Sequence, residues 1–147
     1  LAAEVPCRRG GASAAGMTGE PRLADYLRHI QEAAQLSLDF TAGMDLAAFL
    51  ADSRTQNAVY FNFVILGEAA ARLMARHAEF LGHHPQVPWR SIRDMRNQVV
   101  HGYVTIDTDV VWSTLQTALP DMLAKLPAII AAADQQVAPA RPPTPAS

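Results

Sequence analysis

The sequence predicts an all-α protein, an up-and-down bundle of four main helices plus a short helix. Three observations carry this prediction. Apolar residues recur at threes and fours through successive segments. No stretch alternates apolar and polar residues as a half-buried strand would, and no internal repeat is present. Pro, Gly and Asp stand at the segment edges, where helices start and stop.

Taken in order, Pro21 suits a first helical position, and Leu23, Tyr26, Leu27, Ile30, Ala34 and Leu38 then share a face until about Gly43. Asp45 suits the cap of a short helix through Leu50. Ser53 precedes a long helix with the stripe Val59, Phe63, Leu66, Ala70 and Leu73, ending near Gly82. Pro85 marks a loop. Pro88 then opens a helix on which Trp89, Ile92, Met95 and Val99 face one way, with Gly102 just past its end. Asp107 or Thr108 caps the last helix, which carries Val110, Val111, Leu115, Leu119, Met122, Leu126 and Ile130. Pro120 and Pro127 lie inside it and predict a kink or break. The bundle domain is expected over 21–134. Residues 1–20 read as a disordered extension, with Met17 as the expected natural start, and 135–147 as a disordered Pro-rich tail.

Composition narrows the setting. The chain has 147 residues, half of them apolar and only 18% charged, enough for one globular core. No uninterrupted apolar run approaches the roughly 20 residues that span a bilayer. Cys7 has no second cysteine to pair with, and residues 1–16 lack a signal-peptide core. A cytoplasmic protein away from membranes is expected. The net charge of −2 argues against broad charge-driven binding to nucleic acid, and no DNA partner is expected. Yet Arg72, Arg76, Arg90, Arg93 and Arg96 cluster against only Glu79 and Asp94, with His77, His83, His84 and His101 in the same stretch. That suits a small anionic site, or equally a solvated helix face.

The chemistry concentrates on one helix. Asn97 and His101 are four residues apart and share a face; Arg96 stands about 100° round the axis and reaches the same space from the flank. Trp89, Ile92, Met95 and Val99 point elsewhere, so a polar group rims a helix whose other side is core. His101 falls at the helix C-terminus, where the macrodipole favours positive charge. A cation, an amide and an imidazole are what metal-free RNA cleavage asks for, because the ribose 2′-OH is itself the nucleophile. Arg96 could grip phosphate oxygens, His101 could move protons and Asn97 could orient the phosphate or the histidine. By spacing alone, a surface arginine and a capping histidine account for the pattern as well.

The wider segment Pro88-Trp89-Arg90-Ser91-Ile92-Arg93-Asp94-Met95-Arg96-Asn97-Gln98-Val99-Val100-His101-Gly102-Tyr103, with Ile106-Asp107 and Val110-Val111-Trp112 after it, closely resembles the HepT-like branch of the HEPN superfamily. Val64-Ile65-Leu66-Gly67-Glu68-Ala69 is similar to that branch's I-G-E-A helix segment, and the likeness runs from about residue 22 to 132. The resemblance implies a helical homodimer with two Arg-x4-His motifs facing a shared cleft. It implies a metal-independent endoribonuclease toxin of a toxin–antitoxin system, needing no cofactor, with Arg96 and His101 catalytic and Asn97 assisting. It further implies a nucleotidyltransferase antitoxin of the MntA type, which transfers AMP to the motif tyrosine, here Tyr103. Gly102 departs from the glutamate many relatives carry there, which puts the tuning of His101 in doubt.

A rival from another class is a non-catalytic helical module that docks a nucleotidyltransferase or a nucleotide. A purely structural bundle is a third. Among the remaining residues, Glu68 pairs with an arginine near the cleft or simply makes a surface i,i+4 pair with Arg72, and the second reading is preferred. His83 and His84 read as exposed loop residues, with no metal expected. Asp94 positions Arg93 or Arg96, or is merely exposed. Trp89 and Trp112 read as core or interface anchors, and Tyr26 and Tyr60 as core.

Overall fold

A computed structural model describes residues 21–102 and 104–136. The expected extension over 1–20, the tail over 137–147 and Tyr103 lie outside the described residues. Within them every regular element is helical: α1 (Leu23–Phe40), α2 (Leu46–Ala51), α3 (Ser53–Arg76), α4 (Ala78–Gly82), α5 (Trp89–His101), α6 (Thr108–Ser113) and α7 (Leu119–Gln136), with a π-helical turn at Thr114–Ala118 between α6 and α7.

Side-chain caps start most of these helices. The Asp25 carboxylate accepts from the Arg22 backbone N–H at 2.9 Å, so α1 begins two residues after Pro21. Gly43, at φ 76, turns the chain out of α1 in the left-handed region that costs glycine least. Asp45 caps α2 by accepting from the Ala48 N–H at 2.8 Å, as expected. The cap of α3 is Asp52, whose carboxylate takes both the N–H and the hydroxyl of Thr55.

Helix α3 is the centre of the bundle. It packs against α1 on one side and α5 on another, while α7 lies on α1 and α2 bridges α3 and α6. The expected stripe of Val59, Phe63, Leu66, Ala70 and Leu73 is buried along its length. Facing it are Leu27 and Ile30 of α1, Phe49 of α2 and Ile92 of α5, and the shell closes through Leu115, Leu126 and Ile129. Tyr26 and Trp89 are buried and Tyr60 packs at the edge. Trp89 donates its indole N–H to the His84 carbonyl at 3.0 Å, and Trp112 lies against Phe49 with ring centroids 5.3 Å apart.

The structure corrects several expectations. The long third helix does not run to Gly82: His77, at φ −131, leaves helical geometry, and the short α4 turns Phe80 and Leu81 back into the core. Gly102 does stand just past the end of α5, as expected, with φ at −110. Of the two prolines, only Pro120 coincides with a change of helix type, where a π-helical turn passes into α7 without interrupting the helical run. Lacking an N–H and crowding the carbonyl four residues back, it follows a turn in which the Leu119 N–H reaches Thr114 instead. Pro127 sits inside α7 without ending it, because Leu126, Ile129, Ile130 and Ala133 hold that helix on the core. The Arg28–Asp134 ion pair at 2.7 Å adds an exposed tie between α1 and α7. Helix α7 also runs through Gln135 and Gln136, where the tail was expected to begin.

One exclusion drawn from the sequence also changes. Helix α3 has 24 residues and an 18-residue window of mean hydropathy 1.3, long and apolar enough on those counts to cross a bilayer. The expectation counted uninterrupted apolar runs, whereas α3 tolerates spaced polar residues such as Asn62 and Glu68. Its apolar stripe is spent on α1 and α5 within the bundle.

Candidate functional site

Helix α5 docks on α3 through Trp89 and Ile92, with Met95 and Val99 packed against the edge of the core. Its other side is polar, and Arg96 lies at the seam with α3. The approach there is unusually close. A Cβ built on Gly67 would lie 2.1 Å from the Arg96 Cβ and 3.1 Å from the Ile92 carbonyl oxygen. Only a residue without a side chain lets the two helices meet at this point.

That contact sets the geometry of Arg96. The Asn97 amide oxygen accepts from Arg96 Nε at 3.2 Å and from Nη2 at 2.9 Å. From across the seam Glu68 Oε2 accepts from Nη1 at 2.7 Å. The guanidinium is therefore held on two sides, by its own helix and by α3, and its side chain is only 24% exposed. The other oxygen of Glu68 accepts from Arg72 Nε at 3.1 Å. Glu68 is thus shared by two arginines on different helices, which corrects its reading as a simple i,i+4 surface partner.

The Arg72 hydrogen bond, foremost, and the Arg96 contacts hold the Glu68 carboxyl below its ordinary value of 4.5, against the opposing effect of partial desolvation. A depressed folded-state pKa means that the stabilisation is fully present above about pH 4.5 and is lost as pH falls through the lower folded value. Thermal melts from pH 6 to pH 3 should therefore show the wild type losing more stability than Glu68→Gln. Because Glu68 is half exposed, solvent screening keeps the difference small. Equal acid sensitivity of the two proteins would refute the linkage.

Of the predicted site residues, Arg96 and Asn97 are brought into direct contact. His101 lies at the exposed C-terminal end of α5, on the face of Asn97, and no hydrogen bond joins its ring to another described residue. Tyr103 lies outside the described residues; past the end of α5 the Thr105 N–H donates to the Gly102 carbonyl at 2.7 Å. Asp94 engages Arg93 at 2.8 Å and not Arg96. Among the described residues no three His, Cys, Asp or Glu side chains form a group able to hold a metal ion. On the loop-facing side of α5, Met95, Gln98, Val99, Gly102 and Ile106 line a depression of about 370 Å³.

Sequence reasoning missed what Gly67 and Glu68 do together. The signal was a glycine in the middle of a long helix, beside a carboxylate in an otherwise apolar stretch. Spacing within one helix has no term for a partner 28 residues away.

Fold and site together define a small helical-bundle protein with a tethered arginine and an exposed histidine on one outer helix. The chain belongs to the ribonuclease HepT-like family, whose profile matches residues 30–129. This agrees with the likeness carried by residues 88–103. A relative in Thermococcus cleftensis, named probable ribonuclease HepT, is 36% identical over 101 residues, covering 69% of this chain and 89% of the relative. A provisionally named RNase of Methanocaldococcus jannaschii is 30% identical over 105 residues, or 71% of this chain and 84% of its own. One of Caldanaerobacter subterraneus is 28% identical over 97 residues, covering 66% and 84% respectively. No solved structure is significantly similar to the chain.

Proposed function

We propose that this protein is a metal-independent endoribonuclease acting as the toxin of a toxin–antitoxin pair. The observation that carries the reading is the Arg96 guanidinium, clamped between Asn97 and Glu68 at the edge of a polar helix face, in a chain of a ribonuclease family. A fixed planar cation suits the anionic oxygens of a scissile phosphate. In this scheme the ribose 2′-OH attacks phosphorus, the 5′-oxygen leaves, and the products are a 2′,3′-cyclic phosphate and a 5′-OH end. Arg96 offsets the charge that develops on the phosphoryl oxygens. His101, open to solvent one turn beyond Asn97, takes the 2′-OH proton or delivers one to the leaving oxygen. Asn97 keeps Arg96 in register.

Two further parts of the reading concern partners. A homodimer would bring two such faces to one cleft; the exposed Val100 and Val104, on either side of His101, support a covering protein surface there. Tyr103, two residues from His101, is the proposed acceptor of AMP from a nucleotidyltransferase antitoxin. The phenolic oxygen would displace pyrophosphate from ATP, and the anionic adduct would block RNA by bulk and like charge. The protein is proposed to act in the cytoplasm.

The test is cleavage of a mixed RNA pool by purified protein in EDTA, with the new ends characterised. Cleavage that leaves cyclic phosphate and 5′-OH ends is expected. An unmodified protein, checked by intact mass, that cuts no RNA yet binds a nucleotidyltransferase would replace this reading with that of a binding module.

A further inference from the structure

Arg72, which shares Glu68 with Arg96, has no part in the scheme above. We infer that Arg72 is a second phosphate-binding residue, which Glu68 holds in fixed relation to Arg96 so that the two guanidiniums grip neighbouring phosphates of one RNA strand. The inference rests on the ribonuclease reading and extends its substrate contacts.

Four observations carry it. First, each oxygen of Glu68 serves a different arginine, Oε1 at 3.1 Å from Arg72 Nε and Oε2 at 2.7 Å from Arg96 Nη1. One carboxylate cannot neutralise two guanidiniums, so the triad keeps a net positive charge. Secondly, Arg72 is engaged through Nε alone, and no other described residue bonds its two terminal amino groups. These are the forked donors that match phosphate oxygens. Its side chain is half exposed, so a ligand can reach it. An isolated i,i+4 pair would leave both side chains mobile; here the cross-helix bond to Arg96 pins the carboxylate.

Thirdly, α3 and α5 run antiparallel, since Gly67 meets Arg96 while Met74 and Trp89 line a common depression further along. Along the backbones His101 therefore lies about 7.5 Å from Arg96 on one side, and Arg72 about 6 Å from Glu68 on the other, its guanidinium reaching back to the carboxylate. A strand running along the seam meets His101, Arg96 and Arg72 in that order. Fourthly, Glu68 and Arg72 stand on the rim of a depression of about 440 Å³ lined by Tyr26, Val64, Ile65 and Ala69. It leaves room for a nucleoside beside the second phosphate.

The experiment uses the full chain and an RNA oligonucleotide carrying 2′-O-methyl groups, which it binds without being cut. Affinity is measured across a salt series for wild type, Arg72→Ala, Arg72→Lys and Glu68→Gln, alongside kcat and KM on cleavable RNA. Arg72→Ala should weaken binding about tenfold and lower the slope of log affinity against log salt by about one, with kcat within threefold. Arg72→Lys should restore the slope but not the full affinity, because it keeps the charge and loses the fork. Glu68→Gln should lower kcat about tenfold by freeing Arg96, without raising KM. An unchanged salt slope in Arg72→Ala, or no binding of the oligonucleotide by wild type, overturns the inference. Absence of cleavage by wild type, with the Arg72 dependence of binding intact, would instead count against the ribonuclease reading alone.

Discussion

Replacement of His101 by alanine is expected to lower RNA cleavage by about 10²- to 10⁴-fold while leaving RNA affinity within a few fold. The magnitude is that of removing a positioned general acid or base. The asymmetry between rate and affinity follows from the architecture. Arg96, Asn97 and Glu68 form their contacts without His101, so the phosphate-binding part of the site survives the change. His101 is exposed at the end of α5, so its loss should shift stability by no more than about 0.5 kcal/mol. Single-turnover cleavage, binding of a 2′-O-methyl oligonucleotide and a thermal melt on the same preparation separate the three quantities. His101→Ala cutting RNA at the wild-type rate would move the proton chemistry to another residue. Arg96→Ala differs in kind: it should raise KM as well as lower kcat, since it removes a contact made in both ground and transition states.

Gly67→Ala should destabilise the protein by about 2 kcal/mol and depress cleavage with it, although it adds only one methyl group. Two effects compete. In an isolated helix the substitution would gain about 1 kcal/mol, since alanine is the better helix former. Against this, the new Cβ would sit 2.1 Å from the Arg96 Cβ and 3.1 Å from the Ile92 carbonyl. Neither neighbour is the free end of a flexible side chain, so α5 must move as a body. Overpacking of this kind costs about 1–3 kcal/mol before any propensity gain, and a Cβ–Cβ clash at the helix seam belongs at the upper end. The displaced α5 would carry Arg96 away from Glu68, so kcat/KM should fall even at temperatures where the variant is fully folded. Urea unfolding measures the first effect and cleavage at 15 °C the second. A variant as stable as wild type would show that the helices can separate here at little cost.

The same two residues mark the boundary between what was legible in the chain and what was not. Most helix positions, the Asp45 cap and the core stripe of α3 follow from periods of three and four and from short-range hydrogen bonding, whereas the bond from Arg96 to the Asn97 amide oxygen was not foreseen. The break at His77 was missed because the apolar pattern continues into Phe80 and Leu81. It is the need to turn these onto the core, not propensity, that ends α3 at Arg76. Pro127 was overweighted for the converse reason: a buried stripe on α7 outweighs a proline penalty of about 3 kcal/mol.

What this sequence determines by itself is local: an all-helical chain, the faces its helices bury, and an Arg-Asn-x3-His face whose flanking residues identify the family. What only the tertiary structure decided is the partner of that face. Glu68 belongs, by spacing, to Arg72; it belongs also to Arg96 because Gly67 lets α5 settle directly onto α3. Periodicity describes which way a side chain leaves its own helix. Which charges then meet across a seam depends on how closely two backbones approach, and that distance is set by the packing of the whole core.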